Sequence, residues 1–178
     1  PERVIAMASG YLRGAKENHV AVAIKHFPGD GVDERDQHLV TSVNSLSVER
    51  YMETYGKVYR TLIDQGAETV MVGHIAFPEW VKAYRPNSSR KERLMPATLS
   101  KEIVTGLLRE KLGFNGLIST DSTAMIGFLS ALPRRVAVPT AIAAGCDMFL
   151  FFNDMDEDFA SMMNGYKNGV ITEREAQE

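Results

Sequence analysis

In this 178-residue chain, Asp121 is the residue whose neighbours in sequence best suit a chemical role. It follows the apolar run at residues 117–120, which predicts a strand covered on both faces. Such a strand would hold the carboxylate rigidly, so that it can attack an electrophilic carbon and be displaced by water in a second step. The spacing also allows Asp121 to cap a turn by accepting from Thr123 or Ala124, and this alternative stays open.

A second group with chemical potential is the pair Asp36 and His38, in a loop that opens with Gly29 and Gly31. Histidine exchanges its proton close to neutral pH, and a nearby carboxylate orients its ring and raises its basicity. A separation of two residues places both side chains on one side if the backbone is locally extended. The alternative is an exposed polar loop without a chemical role.

Further ionisable residues also follow predicted strands. Lys25 and His26 follow the first strand, His74 the second and Asp154 the fourth. Parallel strands present their carboxyl ends at one edge, so we expect these residues to share a site with Asp121. Alternatively, Lys25 pairs with Asp121 or Asp154 for structural reasons only.

A metal site is a competing interpretation of the same loops. The histidines and carboxylates that would supply ligands are His26, Asp30, Asp36, His38 and His74. No H-x-H or HExxH spacing supports this interpretation, so we expect neither a metal nor another cofactor.

The elements that position these residues alternate between strands and helices. Strands are predicted at residues 20–24, 69–72, 117–120 and 148–152. Helices are predicted at residues 2–17, 48–64, 99–112, 137–144 and 159–167, with a long βα insertion at 79–96. This order indicates an α/β fold of parallel βαβ units, either an open doubly wound sheet or half of a closed barrel.

The composition narrows the class of protein. Apolar residues make up 44% and charged residues 24%, close to the average of globular domains. A net charge of -3 gives no general attraction to nucleic acid or to an acidic membrane, and we expect neither partner. No apolar stretch approaches the roughly 20 residues that cross a bilayer. The single cysteine, Cys146, excludes an internal disulfide and is expected to be a buried, inert thiol.

Taken together, several blocks of this sequence resemble family 3 glycoside hydrolases, in particular the bacterial β-N-acetylglucosaminidase (β-hexosaminidase) branch. The matching blocks are Lys25-His26-Phe27-Pro28-Gly29, Asp36-x-His38, Gly73-His74-Ile75, Pro96-Ala97-Thr98, Gly116-Leu117-Ile118-x-x-Asp121 and Ala144-Gly145-Cys146-Asp147. The resemblance implies a retaining exo-acting enzyme that hydrolyses terminal β-linked N-acetylglucosamine. β-Glucosidase or glycosyl phosphorylase activity, or a non-catalytic sugar-binding fragment, are the alternatives.

The resemblance also implies roles for individual residues. Asp121 matches the nucleophile, and His38 matches the acid/base that is paired with Asp36. Lys25 and His26 match residues that hold the sugar, and His74 matches a histidine that lines the site. Asp30, also expected to contact substrate, stands where the pattern usually has histidine, and Gln37 stands where it usually has serine.

The length of the chain sets a limit on this interpretation. A (β/α)8 barrel needs about 250 residues, and this chain resembles only strands five to eight. We therefore expect residues 1–178 to be one partial domain, the C-terminal half of a glycosidase barrel, trimmed from a longer chain. A missing N-terminal half-barrel or self-association would close the sheet. We expect a cytoplasmic location, with a secreted or surface location as the alternative, and a glycan from peptidoglycan recycling or another source.

Overall fold

The computed structural model describes residues 1–177. The strands are β1 (Ala23–Phe27), β2 (Ser42–Val43), β3 (Thr69–Val72), β4 (Ile75–Ala76), β5 (Leu117–Ser122) and β6 (Met148–Leu150). The α-helices are α1 (Glu2–Glu17), α2 (Val48–Tyr51), α3 (Lys57–Asp64), α4 (Pro78–Tyr84), α5 (Arg90–Arg93), α6 (Ile126–Leu129), α7 (Arg134–Ala144), α8 (Met155–Lys167) and α9 (Glu173–Gln177). Two π-helical segments, Met52–Gly56 and Glu102–Lys111, and a 3-10 turn, Ala97–Leu99, complete them.

The main sheet has four parallel strands in the order β1-β3-β5-β6, which confirms the predicted parallel α/β fold. Short strands β2 and β4 form a second parallel pair. Within residues 1–177 the main sheet is not closed into a barrel, and β1 and β6 are its edges.

Strand positions differ from the prediction where pairing sets the boundary. Strand β3 covers residues 69–72 as predicted, whereas β1 begins at Ala23 because Ala23 is the partner of Thr69. The apolar residue Val20, which suggested an earlier start, is exposed and lies before the strand. Strand β6 ends at Leu150, and Asp121 lies within β5 rather than after it.

The helices follow the predicted pattern with shifted ends. Ser47 caps the helix at residues 48–64 by accepting from the Arg50 backbone N–H, and Gly66 follows with a positive φ of 83°. Helix α7 begins at Arg134, and α8 begins at Met155, so both start earlier than predicted. The insertion at residues 79–96 contains α4 and α5.

The core lies between the sheet and the helices that follow β1 and β3. Val70, Val72 and Ile118 of the sheet pack in one cluster with Ile103 and Leu107, and all five are fully buried. Cys146 belongs to the same cluster, which confirms the expected buried thiol, and burial raises the pKa of this thiol to about 12. The core therefore supports the carboxyl ends of β3 and β5, where the ionisable residues lie.

Apolar side chains are exposed at both edges of the main sheet. Near β1 an open groove of about 840 Å³ is lined by side chains such as Val4, Tyr11, Ile24 and Val58. After β6, Phe151, Phe152 and Phe159 are each more than half exposed. Exposed apolar surfaces beside unpaired strands are adhesive, so other polypeptide segments can pack against them.

Candidate active site

Asp121 lies near the end of β5 with its side chain 19% exposed. Its Oδ1 accepts a hydrogen bond from the backbone N–H of Ser122 at 2.7 Å. The carboxylate does not accept from Thr123 or Ala124, so the capping alternative is not the observed arrangement. Oδ2 faces the His26 ring, and the carboxylate is held near the carboxyl ends of the parallel strands.

His26 connects Asp121 with a second carboxylate. Its Nε2 lies 3.5 Å from Oδ2 of Asp121, and its Nδ1 lies 2.7 Å from Oδ2 of Asp30. An ionised Asp30 can only accept, so the proton on this contact belongs to Nδ1 of His26. One imidazole therefore lies between two carboxylates, and its orientation is set from the Asp30 side.

The predicted dyad of Asp36 and His38 is present. Oδ1 of Asp36 accepts from Nδ1 of the His38 ring at 2.7 Å and from the His38 backbone N–H at 2.9 Å. The backbone hydrogen bond and then the imidazole contact lower the pKa of Asp36, which favours its ionised form. The His38 side chain is 72% exposed, so its Nε2 is free to meet a bound molecule.

The structure revises the role expected for His74. Its side chain is fully buried, so it lies beneath the site and not on its surface. Its Nε2 donates to the backbone oxygen of Ser122 at 2.9 Å, and its Nδ1 accepts from the Thr98 hydroxyl at 3.0 Å. Burial, the main cause, lowers the pKa of His74 and keeps it neutral. His74 supports the segment that carries Asp121.

Lys25 lies inside β1 beside the groove at that edge. Among residues 1–177 its ammonium makes no ion pair, so the alternative pairing with Asp121 or Asp154 is not formed. Asp154 instead caps α8 by accepting from the Glu157 backbone N–H at 2.9 Å. Lys25 remains available to donate to a ligand.

Thr98 and Arg134 also build this region, although sequence reasoning gave them no role. Arg134 donates to the backbone oxygens of Thr123, at 3.1 Å, and Phe151, at 3.0 Å. It thereby joins the segments that follow β5 and β6. A threonine or arginine far along the chain carries no spacing signal that links it to Asp121.

Two further properties bear on the class of site. No set of three or more histidine, cysteine, aspartate or glutamate side chains in residues 1–177 is arranged to hold a metal ion. In the same part of the chain, no helix combines the length and apolarity needed to span a membrane.

Solved structures of similar proteins share this fold. A structure titled "Beta-glucoside phosphorylase BglX bound to 2FGlc" aligns with a TM-score of 0.95 and 47% identity, covering 98% of this chain and 31% of that one. A family 3 β-N-acetylglucosaminidase from Paenibacillus sp. aligns with a TM-score of 0.82 and 27% identity, covering 96% of this chain and 31% of that one.

Curated relatives give the same picture. A "Beta-N-acetylglucosaminidase/beta-glucosidase" of Cellulomonas fimi is 51% identical over 169 residues, which are 95% of this chain and 30% of the relative. A "Beta-hexosaminidase" of Methylobacillus flagellatus is 31% identical over 85% of this chain and 40% of its own length. The chain thus spans about a third of the length of these relatives.

The match to a defined family covers the whole chain. Residues 1–178 match the family described as "Glycosyl hydrolase family 3 N terminal domain". The parallel sheet and the relatives named above agree with this match. The chain therefore belongs to glycosyl hydrolase family 3 and represents part of its N-terminal domain.

Proposed function

We propose that this chain carries the catalytic residues of a retaining exo-acting β-glycosidase, specifically a β-N-acetylglucosaminidase. The observation that carries the proposal is an exposed imidazole, His38, held by its own carboxylate, Asp36, on a loop that is hydrogen-bonded to the residues after the fixed carboxylate Asp121. These are the groups that a two-step displacement with proton transfer needs.

In the first step the Asp121 carboxylate attacks the anomeric carbon of the terminal sugar. The bond between that carbon and the glycosidic oxygen breaks while protonated His38 gives its Nε2 proton to the leaving oxygen. The products are a glycosyl ester on Asp121, a neutral His38 and a free alcohol. Asp36 holds Nδ1 of the ring, so Nε2 is the nitrogen left to exchange a proton with the substrate.

In the second step neutral His38 takes a proton from water, and the water oxygen attacks the anomeric carbon. The ester bond breaks, Asp121 leaves as a carboxylate and His38 is again protonated. Two inversions at one carbon give net retention of configuration. Lys25 is available to donate to a sugar hydroxyl during both steps, whereas Nε2 of a neutral His26, whose proton lies on Nδ1, can accept from one.

The proposal is tested by trapping the glycosyl ester. The protein used is the longest natural form, meaning the longest natural chain that contains residues 1–178. A 2-fluoro or 5-fluoro glycosyl fluoride slows the second step, and peptide mass spectrometry should find the label on Asp121. An Asp121→Asn variant should remain unlabelled. A label on another residue, or an inverted product by NMR, would contradict the mechanism.

A phosphorylase is the second candidate, and one observation favours it. The proposed base is an imidazole, which is neutral when deprotonated and does not repel an anion as a carboxylate would. Phosphate oxygen could then attack the glycosyl ester on Asp121 and release a sugar 1-phosphate. A neighbour of 47% identity is titled a β-glucoside phosphorylase. Sugar 1-phosphate formed in phosphate buffer, measured against hydrolysis, separates the two activities.

Closure of the sheet is part of the proposal. Apolar side chains at both edges, and relatives of which the aligned residues make up 30% and 40%, support cover by further strands of a longer chain. A second copy of residues 1–178, or a non-catalytic sugar-binding fragment, are the alternatives. Gel filtration with an activity assay separates them, because an inert monomer supports the fragment and an active dimer supports self-association.

A further inference from the structure

Gln37 lies between the two dyad residues, and its side chain is almost fully buried with both polar ends occupied. Its Nε2 donates to Oδ1 of Asp30 at 2.5 Å, and its Oε1 accepts from the His74 backbone N–H at 2.6 Å. A buried amide with both ends satisfied has one orientation, because turning it would leave two groups unpaired. Gln37 is therefore a fixed bridge and not a loop side chain facing solvent.

The neighbouring backbone leaves room for this bridge. A Cβ added at Gly73 would lie 2.7 Å from Oε1 of Gln37, and one added at Gly127 would lie 2.7 Å from the Gln37 backbone oxygen. That oxygen accepts from the Gly127 N–H, and the His38 backbone oxygen accepts from the Ile126 N–H, each at 3.1 Å. The loop of the dyad is thus docked on α6, directly after the segment of Asp121.

Asp30 extends the bridge to the ring of His26, which lies against the nucleophile. Its Oδ1 accepts from Gln37, and its Oδ2 accepts from Nδ1 of His26 at 2.7 Å. The opposite nitrogen of that ring lies 3.5 Å from Asp121. The backbone of Asp30 is held as well, since its oxygen accepts from the Tyr55 hydroxyl at 2.6 Å.

We propose that Asp30 and Gln37 are positioning residues that join the His38 loop to the nucleophile through the ring of His26. Asp30 fixes the orientation and the tautomer of His26, and Gln37 fixes the loop relative to His74. The inference deepens the proposed glycosidase function and rests on it for its meaning, although its geometry is measurable without turnover. Asp30 and Gln37, two of the positions where the sequence departs from the family pattern, are thus in direct contact.

An Asp30→Asn variant tests the His26 leg. The new amide keeps an acceptor oxygen for Gln37 but presents an N–H to His26, which must then accept with Nδ1 and carry its proton on Nε2. In residues 1–178 labelled with ¹⁵N-histidine, we expect Nδ1 of His26 to be protonated in the wild type and unprotonated in the variant when the ring is neutral. The same tautomer in both proteins would overturn the proposal.

The matched control is Glu34→Gln, which removes one negative charge from the same loop at an exposed side chain. It should leave the His26 tautomer unchanged. In the longest natural form, Asp30→Asn should lower kcat/KM for an aryl glycoside about tenfold, and Glu34→Gln should stay within about twofold. A switched tautomer with an unchanged rate would overturn the positioning role.

A Gln37→Ala variant tests the loop leg. The His74 amide loses its acceptor, so its hydrogen exchange should become at least about tenfold faster, whereas Gln65→Ala, at an exposed glutamine, should leave it unchanged. Equal protection of the His74 amide in wild type and Gln37→Ala would overturn this leg. If the wild type lacks glycosidase activity, the proposed function fails, while the tautomer and exchange results still decide the geometry.

Discussion

Nε2 of His74 donates a 2.9 Å hydrogen bond to the backbone oxygen of Ser122, the residue that follows Asp121. The opposite ring nitrogen accepts from the Thr98 hydroxyl, so one neutral tautomer satisfies both contacts. The ring is fully buried and lies 5.4 Å from the Phe128 ring. His74, which was expected to line the site, therefore lies beneath it and supports the segment that carries Asp121.

Replacing His74 by Phe should destabilise the fold. The change keeps a ring in the space but leaves the Ser122 oxygen and the Thr98 hydroxyl without their partner, which costs about 2 kcal/mol in the free energy of unfolding. Urea denaturation measures the difference. His19→Asn is the control, because His19 is exposed with a positive φ of 58° that asparagine tolerates. Equal losses in both variants would contradict the role of His74.

The same residue predicts a pH dependence of stability. Burial lowers the pKa of His74 below its ordinary value of 6.5, so the unfolded state binds its proton first as the pH falls. The free energy of unfolding should therefore decrease from about pH 7.5 to about pH 5.5. The gap between wild type and His74→Phe should narrow over this interval, because the variant lacks the group. A constant gap would show that another group titrates.

Replacing Arg134 should also lower the free energy of unfolding. It donates to both oxygens of Asp158, at 2.8 and 2.6 Å, and Asp158 is 3% exposed. Burial alone would raise the pKa of Asp158, but hydrogen bonds from Arg134 and Asn153 outweigh it and the net shift is downward. Arg134→Ala leaves this carboxylate unpaired and should cost about 3 kcal/mol.

The control for that variant is its neighbour. Arg135 is exposed and makes no side-chain hydrogen bond within residues 1–177, so Arg135→Ala should change the free energy of unfolding by less than about 0.5 kcal/mol. If the two alanine variants unfold at the same urea concentration, the Arg134 contacts do not contribute to stability.

A pair of glycine substitutions separates close packing from helix propensity. A Cβ at Gly127 would meet backbone oxygens of Gln37 at 2.7 Å and Val40 at 3.2 Å, so Gly127→Ala should push the loop from α6 and destabilise by about 1–3 kcal/mol. Gly10, within α1, has no atom within 4 Å of such a Cβ, so Gly10→Ala should stabilise by about 0.5–1 kcal/mol. Opposite signs in thermal unfolding are expected, and a neutral Gly127→Ala would contradict the docking.

Substitution of His38 should give a kinetic signature that depends on the leaving group. His38→Ala removes proton donation, so kcat/KM should fall about 10²–10⁴-fold for substrates with poor leaving groups. With an activated nitrophenol the first step needs little protonation, and the loss should be smaller. A series of aryl glycosides measures the slope against leaving-group pKa. An unchanged slope would place the acid on another residue.

The sequence predicted the parts of this structure that depend on local pattern. Strand β3 and the helix capped by Ser47 are confirmed, because continuous apolar residues and a capping hydroxyl are local signals. The start of β1 was wrong, since the boundary at Ala23 is set by pairing with Thr69, which lies far along the chain. A strand boundary that is set by pairing with another strand cannot be predicted from the strand's own residues.

The candidate site, too, was predicted only where its contacts are local in the sequence. The contact between Asp36 and His38 follows from a spacing of two and is present. The burial of His74 depends on Gln37, Thr98 and Phe128, which lie far from it in sequence, so its position beneath the site had no local signal. The roles proposed for Asp121, Lys25 and the dyad in catalysis stay predictions.

The order of strands in the main sheet is also their order along the chain. During synthesis each new strand can therefore add to the edge left by the preceding one, without waiting for distant segments. Among the strands of residues 1–177, β6 is synthesised last and is followed at once by the exposed side chains of Phe151 and Phe152. Within residues 1–177 this adhesive surface therefore emerges only after β1, β3 and β5 have been synthesised, so less time is left for it to meet wrong partners before those strands are available to pack.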